Sequence, residues 1–414
     1  MRLLKIGIYY SAYLEQFYAQ RPGLAEQDYA TQHTALMDDG FGSSNFWTNA
    51  LTNLGYETCD LVSNAQPMQQ MWGTERGLAF DPNRWLFDIT AAQVKAFKPD
   101  ALLVADYSTI TAAYLRHLKD VCPSIRLVLV WCGAPFRDGS IFNECDIVLS
   151  CVPELVTRFR QSGHHSYQIN HAFDQRVLEK LDLTSSPTAE FVFLGSIVKS
   201  DQFHIGREKL LSQLVKETDL KIWSDAGAPA STTPPEYSLP GITDRSVASI
   251  GPSRWRRHVS SVPFFGSVAR RAWQLAQPGS RSLNVDPNII NHSQGPLFGL
   301  QMFQQLHDSR VALNTHIDIS PINASNMRLF EATGVGACML TDWKANLSEL
   351  FELDSEVVTY RDADECVEQA QYLLEHESER RSIAAAGQRR TLRDHTFDHR
   401  AAQIDTIILQ ALAD

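Results

Sequence analysis

The segment VALNTHIDISPINASNMRLFEATGVGACMLTD brings Asn314, His316, Asn323, Ser325, Asn326, Arg328 and Glu331 around one strand–loop–helix junction. So many donors beside one arginine and one glutamate suit a ligand that carries both phosphate and hydroxyls. Asn326 and neighbouring amides would hold a phosphate and Arg328 would neutralise it. Glu331 would accept hydrogen bonds from two hydroxyls of a ribose. The plainer reading is a surface ion pair between Arg328 and Glu331, three apart on a helix, worth only a few tenths of a kcal/mol.

A second group sits in FLGSIVKSDQFHIGREKLL. Gly195 and Ser196 close a strand, and Lys199, His204 and Arg207 lead into the next helix. Free amides and the helix dipole make such a junction attractive to phosphate. It could equally be an ordinary loop with surface charges. For proton transfer the candidates are Asp106 in LVADYS, His171 in INHAFD, His33 and Asp38. Each has a structural alternative, since a strand-end aspartate often caps a turn and His171 could merely line a hinge. Asp38 and Asp39 are adjacent and do not form D-x-D. No G-x-G-x-x-G follows the first strand, and no G-x-x-x-x-G-K-[ST] occurs anywhere. Dinucleotide oxidoreductase and P-loop chemistry lose their main support.

These residues need elements to position them. Strand-like and helix-like segments alternate through RLLKIGIYY, SNFWTNALTNLGYETCDLV, TAAQVKAFKPDALLVADY, TAAYLRHLKDVCPSIRLVLVWCG and CDIVLSC. Such alternation implies βαβ units and a parallel sheet, with apolar strands covered on both faces. A polar, proline-containing seam falls at Leu181–Glu190, after which the alternation starts again from FVFLGSI. The expected fold is α/β: two Rossmann-like doubly wound domains, 1–185 and 186–395, with the ligand site in the cleft between them.

With 414 residues, 44% hydrophobic and 21% charged, the chain is long enough for two cores and reads as soluble and globular. It lacks the ~18-residue apolar run of a membrane helix and has no small-residue cleavage site behind its N-terminus. Seven scattered cysteines with no C-x-x-C pair suit reduced thiols in a cytoplasm. A net charge of −11 argues against nucleic-acid binding. The exception is local: within the long loop 226–295, the stretch 245–285 carries seven arginines, four Trp or Phe and no acidic residue. It could be a solvated loop, a lid over a donor diphosphate, an acceptor contact, or a peripheral contact with an anionic membrane.

The run from NMRLFEATGVGACMLTD to TLRDHTFDHR resembles the C-terminal half of GT-B glycosyltransferases. Among these it is most similar to the branch of the CgeB-like spore-maturation proteins and the group 1, family 4-like enzymes. The likeness is strong over Gly295 to Arg400, weaker over Glu190 to Asp225, and one of architecture in the N-terminal half. It implies an acceptor domain first, a nucleotide-sugar donor domain second, and a final helix, 396–414, returning to the first. It also implies that Glu331 holds the donor ribose and that Gly336–Ala337 form the turn beneath it. Many relatives carry a second, sugar-contacting glutamate where this chain has Asn323. The expected activity is metal-independent transfer of a sugar to a hydroxyl of a glycan, protein or lipid-linked saccharide. A GT-B nucleotide-sugar epimerase and a catalytically silent carbohydrate- or partner-binding module are the alternatives.

Overall fold

The computed structural model describes residues 1–134, 136, 138–197, 204–226, 285–318 and 320–413. Twelve strands form two separate six-stranded sheets among these residues. The first contains β1 (Arg2–Gly7), β2 (Glu57–Val62), β3 (Ala101–Val104), β4 (Leu127–Trp131), β5 (Ile147–Ser150) and β6 (Ser166–Gln168), in the order β2-β1-β3-β4-β5-β6. The second contains β7 (Ala189–Leu194), β8 (Lys221–Trp223), β9 (Ser293–Gln294), β10 (Ser309–Asn314), β11 (Cys338–Asp342) and β12 (Val358–Tyr360), in the order β12-β11-β10-β7-β8-β9. Every pairing is parallel.

The apolar strands explain the layering. All four residues of β3, ALLV, are buried, because helices cover both faces of the sheet. In each sheet the strand order turns back on itself, at β1/β3 in the first and β10/β7 in the second. The crevice at the carboxyl ends of such strands is the natural ligand position. No helix among the described residues is long and apolar enough to cross a membrane.

The two halves are joined twice at one place. The amide of Phe173 donates to the carbonyl of His395 at 2.9 Å, and that of Phe397 donates to the carbonyl of Phe173 at 3.2 Å. Beyond this crossing the helix Phe397–Ala413 packs on Phe46–Asn53 of the first half. Phe397 wedges between Phe46 and Trp47, with ring centroids at 5.2 and 5.0 Å. Farther along, Tyr56 donates its hydroxyl to Asp405 at 2.6 Å. Gly334 lies against the Phe173 ring so closely that a Cβ there would overlap it.

Several local features differ from expectation. Helices Tyr29–Asp38 and Gln66–Glu75 interrupt the simple alternation of the first half. The stretch 226–295, read as one long loop, contains helix Pro287–His292 and strand β9 at its end. An Asp286 side chain that caps Asn288 and a proline at the first helical turn start that helix. The helix that carries Arg328 and Glu331 runs Arg328–Gly334, and the Asn326 amide before it turns to Asn314. The arginine-rich stretch 245–285 lies outside the described residues except for Val285, as does Lys199.

Candidate functional site

The second sheet delivers its polar residues at the carboxyl ends of β7, β10 and β11. Strand β10 ends at Asn314, whose Nδ2 donates to Thr341 Oγ1 at 2.8 Å and whose Oδ1 accepts from Asn326 Nδ2 at 2.7 Å. Tyr360 donates its hydroxyl to the Asn314 carbonyl at 2.9 Å, tying β12 to the same point. Directly after Asn314 the chain places His316, with a fully buried side chain, against Asp342 at the end of β11. Asp342 also reaches Lys344 Nζ at 3.1 Å. Burial pushes the Asp342 carboxyl up, but the His316 and Lys344 interactions outweigh it and hold the acid below its usual range.

Arg328 and Glu331 pair at 2.8 Å, and with side-chain exposures of 17% and 9% they are not a surface pair. Burial raises the Glu331 pKa, against the opposing pull of the Arg328 guanidinium. The arginine also points one nitrogen at the Met302 sulfur, 2.9 Å away. Ser325 donates to Ser320 Oγ at 3.2 Å, and Asn323 reaches across to the first half, donating to Glu154 at 2.8 Å. Two buried polar atoms of this cluster, His316 Nε2 and Asn326 Oδ1, have no hydrogen-bond partner. Buried polar atoms are nearly always paired, so orphans gathered in one cluster mark a place where a ligand can supply partners.

Among its described residues, the junction after β7 turns its donors to the protein itself. Gly195 donates its amide to the Trp223 carbonyl at 3.1 Å. Arg207 is buried and bolts two loops together, donating to the carbonyls of Ser196 and Thr315 at 2.8 Å each and to His204 Nε2 at 3.0 Å. Burial lowers the Arg207 pKa to about 10 and, with Arg207 beside it, that of His204 to about 3. The first amides of helix Ile205–Glu217 already meet an anion: Asp318 Oδ2 accepts from Ile205 at 2.8 Å and Gly206 at 3.2 Å. No local sequence signal links Asp318 to that helix.

The four proton-transfer candidates are scattered through the first half. Asp106 is consumed by its own turn, accepting from Ser108 N, Ser108 Oγ and Thr109 N at 2.9, 2.5 and 3.0 Å. Asp38 forms an exposed ion pair with Lys180 at 2.6 Å. His33 donates from Nε2 to the Asp60 carbonyl at 3.0 Å. His171 lies beside Trp131 at the hinge, where burial and then Arg400 push its pKa down to about 4. Among the described residues no group of three or more His, Cys, Asp or Glu side chains gathers as a metal site.

Asp342, Glu154, Asp318 and Asn346 join the site without having been singled out from the sequence. Only Asp342, the polar end of an apolar strand, carried a signal there. Asn346 clamps the loop by accepting from Ala324 N at 2.6 Å and donating to Ala324 O at 3.2 Å.

Known proteins share both the sequence pattern of the second half and the fold of the whole. Residues 207–406 match the model of the family described as glycosyl transferase-like. No curated protein matches the sequence. Among solved structures, the chain resembles a sucrose-phosphate synthase from Thermosynechococcus elongatus, at 10% identity and TM-score 0.52, over 100% of this chain and 99% of that one. It resembles the Anabaena protein HepE in complex with UDP-glucose, at 11% identity and TM-score 0.52, over 99% and 100%. A glycosyltransferase from Rickettsia africae gives 9% identity and TM-score 0.51, over 99% and 98%. The chain therefore has the GT-B fold of two Rossmann-like domains, and its C-terminal portion matches the glycosyl transferase-like family.

Proposed function

We propose that the protein is a glycosyltransferase that moves a sugar from a nucleotide-diphosphate sugar to an acceptor hydroxyl in the interdomain cleft. The observation that carries this reading is the pairing of buried Glu331 with half-buried Arg328, beside orphaned polar atoms after the carboxyl end of β10. The match of residues 207–406 to a glycosyl transferase-like family and the GT-B fold support it. So does the presence of UDP-glucose in complex with one structural neighbour, HepE.

In this reading Glu331 accepts from the ribose hydroxyls. Charge that develops on the leaving diphosphate is met by Arg328, Asn326 and neighbouring amides. No resident metal is required for that stabilisation. The acceptor, a saccharide, protein or lipid-linked saccharide, approaches from the first sheet. Of the four base candidates, His171 is the one held neutral beside the hinge, although a pKa near 4 leaves it a weak base. The CgeB-like, family 4-like branch is the placement we favour within the GT-B enzymes. Contact of 245–285 with an anionic membrane, bringing a cytoplasmic enzyme to a lipid-linked acceptor, would follow from its arginines.

Thermal-shift titration with UDP, GDP, CDP and dTDP tests the donor site. Stabilisation by one of them, lost in Glu331→Ala, is expected. No stabilisation by any would overturn the reading.

A further inference from the structure

Glu154 is the second residue of helix Pro153–Gln161, which follows β5 in the first half of the chain. Its Oε1 accepts from Asn323 Nδ2 at 2.8 Å, a hydrogen bond that spans 169 positions of sequence. Its Oε2 is buried and has no partner at all. A carboxylate is an acceptor-only group when ionised, and leaving one oxygen dry and unpaired is costly. The free amides at the start of its own helix do not bond Oε2 either.

The Asn323 end of this bridge is firmly held. The Asn323 carbonyl accepts from Ser320 Oγ at 2.5 Å, and the following residue, Ala324, is clamped on both sides by Asn346. Three residues on lies Asn326, whose Oδ1 is itself an orphan, and beyond it the Arg328–Glu331 pair. The unpaired oxygen of Glu154 thus belongs to a side chain that the first half of the chain brings to Asn323, on the loop that leads to the donor cluster. The chemistry that satisfies a lone carboxylate oxygen next to such a cluster is a hydroxyl donor.

We propose that Glu154 is a specificity-determining residue that accepts a hydrogen bond from a hydroxyl of the donor's sugar ring, with Asn323 as the residue that positions it. The proposal rests on the donor placement given under the proposed function. It assigns Asn323 a reason to be an amide. An amide at 323 donates to Oε1, whereas a carboxylate there would set two acceptors against each other at hydrogen-bond distance. It also means that the sugar is recognised only when the two halves meet, so that sugar binding and cleft geometry are coupled.

The test uses the full chain and isothermal titration with UDP, GDP, CDP and dTDP, each free and as a panel of hexose conjugates. Glu154→Gln, nearly isosteric, and Glu154→Ala are compared with wild type after melting curves establish that they fold. The expected result is unchanged affinity for the free nucleoside diphosphate and a tenfold or greater loss for the matching nucleotide-sugar. Asn323→Asp should show the same selective loss, recovered in part in the Asn323→Asp, Glu154→Gln double variant. Equal losses for diphosphate and nucleotide-sugar would make the bridge merely structural and overturn the proposal, as would unchanged affinity for both. If wild type binds a nucleoside diphosphate but no conjugate more tightly, the proposal falls while the donor site stands. If wild type binds no nucleotide, the proposed function falls and takes this inference with it.

Discussion

Oδ1 of Asp342 accepts two hydrogen bonds from a single residue, the backbone amide of His316 at 3.0 Å and its Nδ1 at 2.7 Å. The pair fixes both the loop leaving β10 and the tautomer of the ring. With Nδ1 donating to Asp342, the ring's other nitrogen, Nε2, is left without a hydrogen-bond partner.

Replacing that carboxylate should therefore be felt in the ring and in stability. In Asp342→Asn the charge facing His316 and Lys344 is lost, and nucleotide-sugar affinity is expected to fall about tenfold, the worth of one charge-assisted hydrogen bond. Long-range 1H–15N spectra should show the Nδ1-protonated tautomer in wild type and a mixture in the variant. The acid limb should change as well. A depressed folded pKa gives stability that is present above the unfolded value of 3.8 and is lost as pH falls through the folded value. Acid unfolding followed by circular dichroism should lose that component in Asp342→Asn.

Glu331 titrates in the opposite sense. Its pKa is raised from 4.5 by burial, so that only between 4.5 and the folded pKa does the folded state hold a proton that the unfolded state has released. Unliganded stability should decline as pH rises from 4.5 through the folded pKa, and Glu331→Gln should flatten that decline. Arg328→Ala should steepen it, since the arginine opposes the rise. At neutral pH that variant leaves a buried carboxylate unpaired, costing about 3–5 kcal/mol. Arg328→Ala, Glu331→Gln should recover much of the loss. A double-mutant cycle in urea unfolding reads all four states.

At the hinge, Gly334→Ala would place a methyl group into the ring of Phe173, which is 1% exposed and cannot retreat into solvent. Overpacking of this kind costs about 1–3 kcal/mol. A melting temperature lowered by several degrees is expected, and an unchanged value would mean that the two halves slide past each other without cost.

Phe397 begins the returning helix and is 4% exposed between Phe46 and Trp47. Phe397→Ala should cost about 3–5 kcal/mol through the cavity it opens. Because that cavity lies between the last helix and the first half, small-angle scattering should show an increased radius of gyration as the helix loosens. Scattering identical to wild type would show that Tyr56–Asp405 and the Phe173–His395 crossing suffice to hold it.

Much of the architecture was legible because its causes are local. The apolar run ALLVAD can only be a strand covered on both faces, and Gly336, at φ +85, ends a helix where few other residues would fit. The spacing of Arg328 and Glu331 predicted their pairing, though not its burial. Helix Pro287–His292 escaped notice because six residues are too few for an apolar periodicity to stand out.

What determined the site's final form is not local. Ser196, Arg207 and Thr315 meet through one guanidinium, Asp318 caps a helix more than a hundred residues earlier, and Glu154 finds Asn323 from the other half of the chain. The sequence by itself determined two parallel sheets and the loop where polar residues collect, because hydrophobic period and turn chemistry act over a few residues. Only the tertiary structure decided which cations are buried as bolts, which helix start is already occupied, and which carboxylate oxygen is left without a partner. Those outcomes depend on the packing of the sheets and the meeting of the two halves, and hydrogen bonds between residues far apart in sequence leave no trace in any one segment.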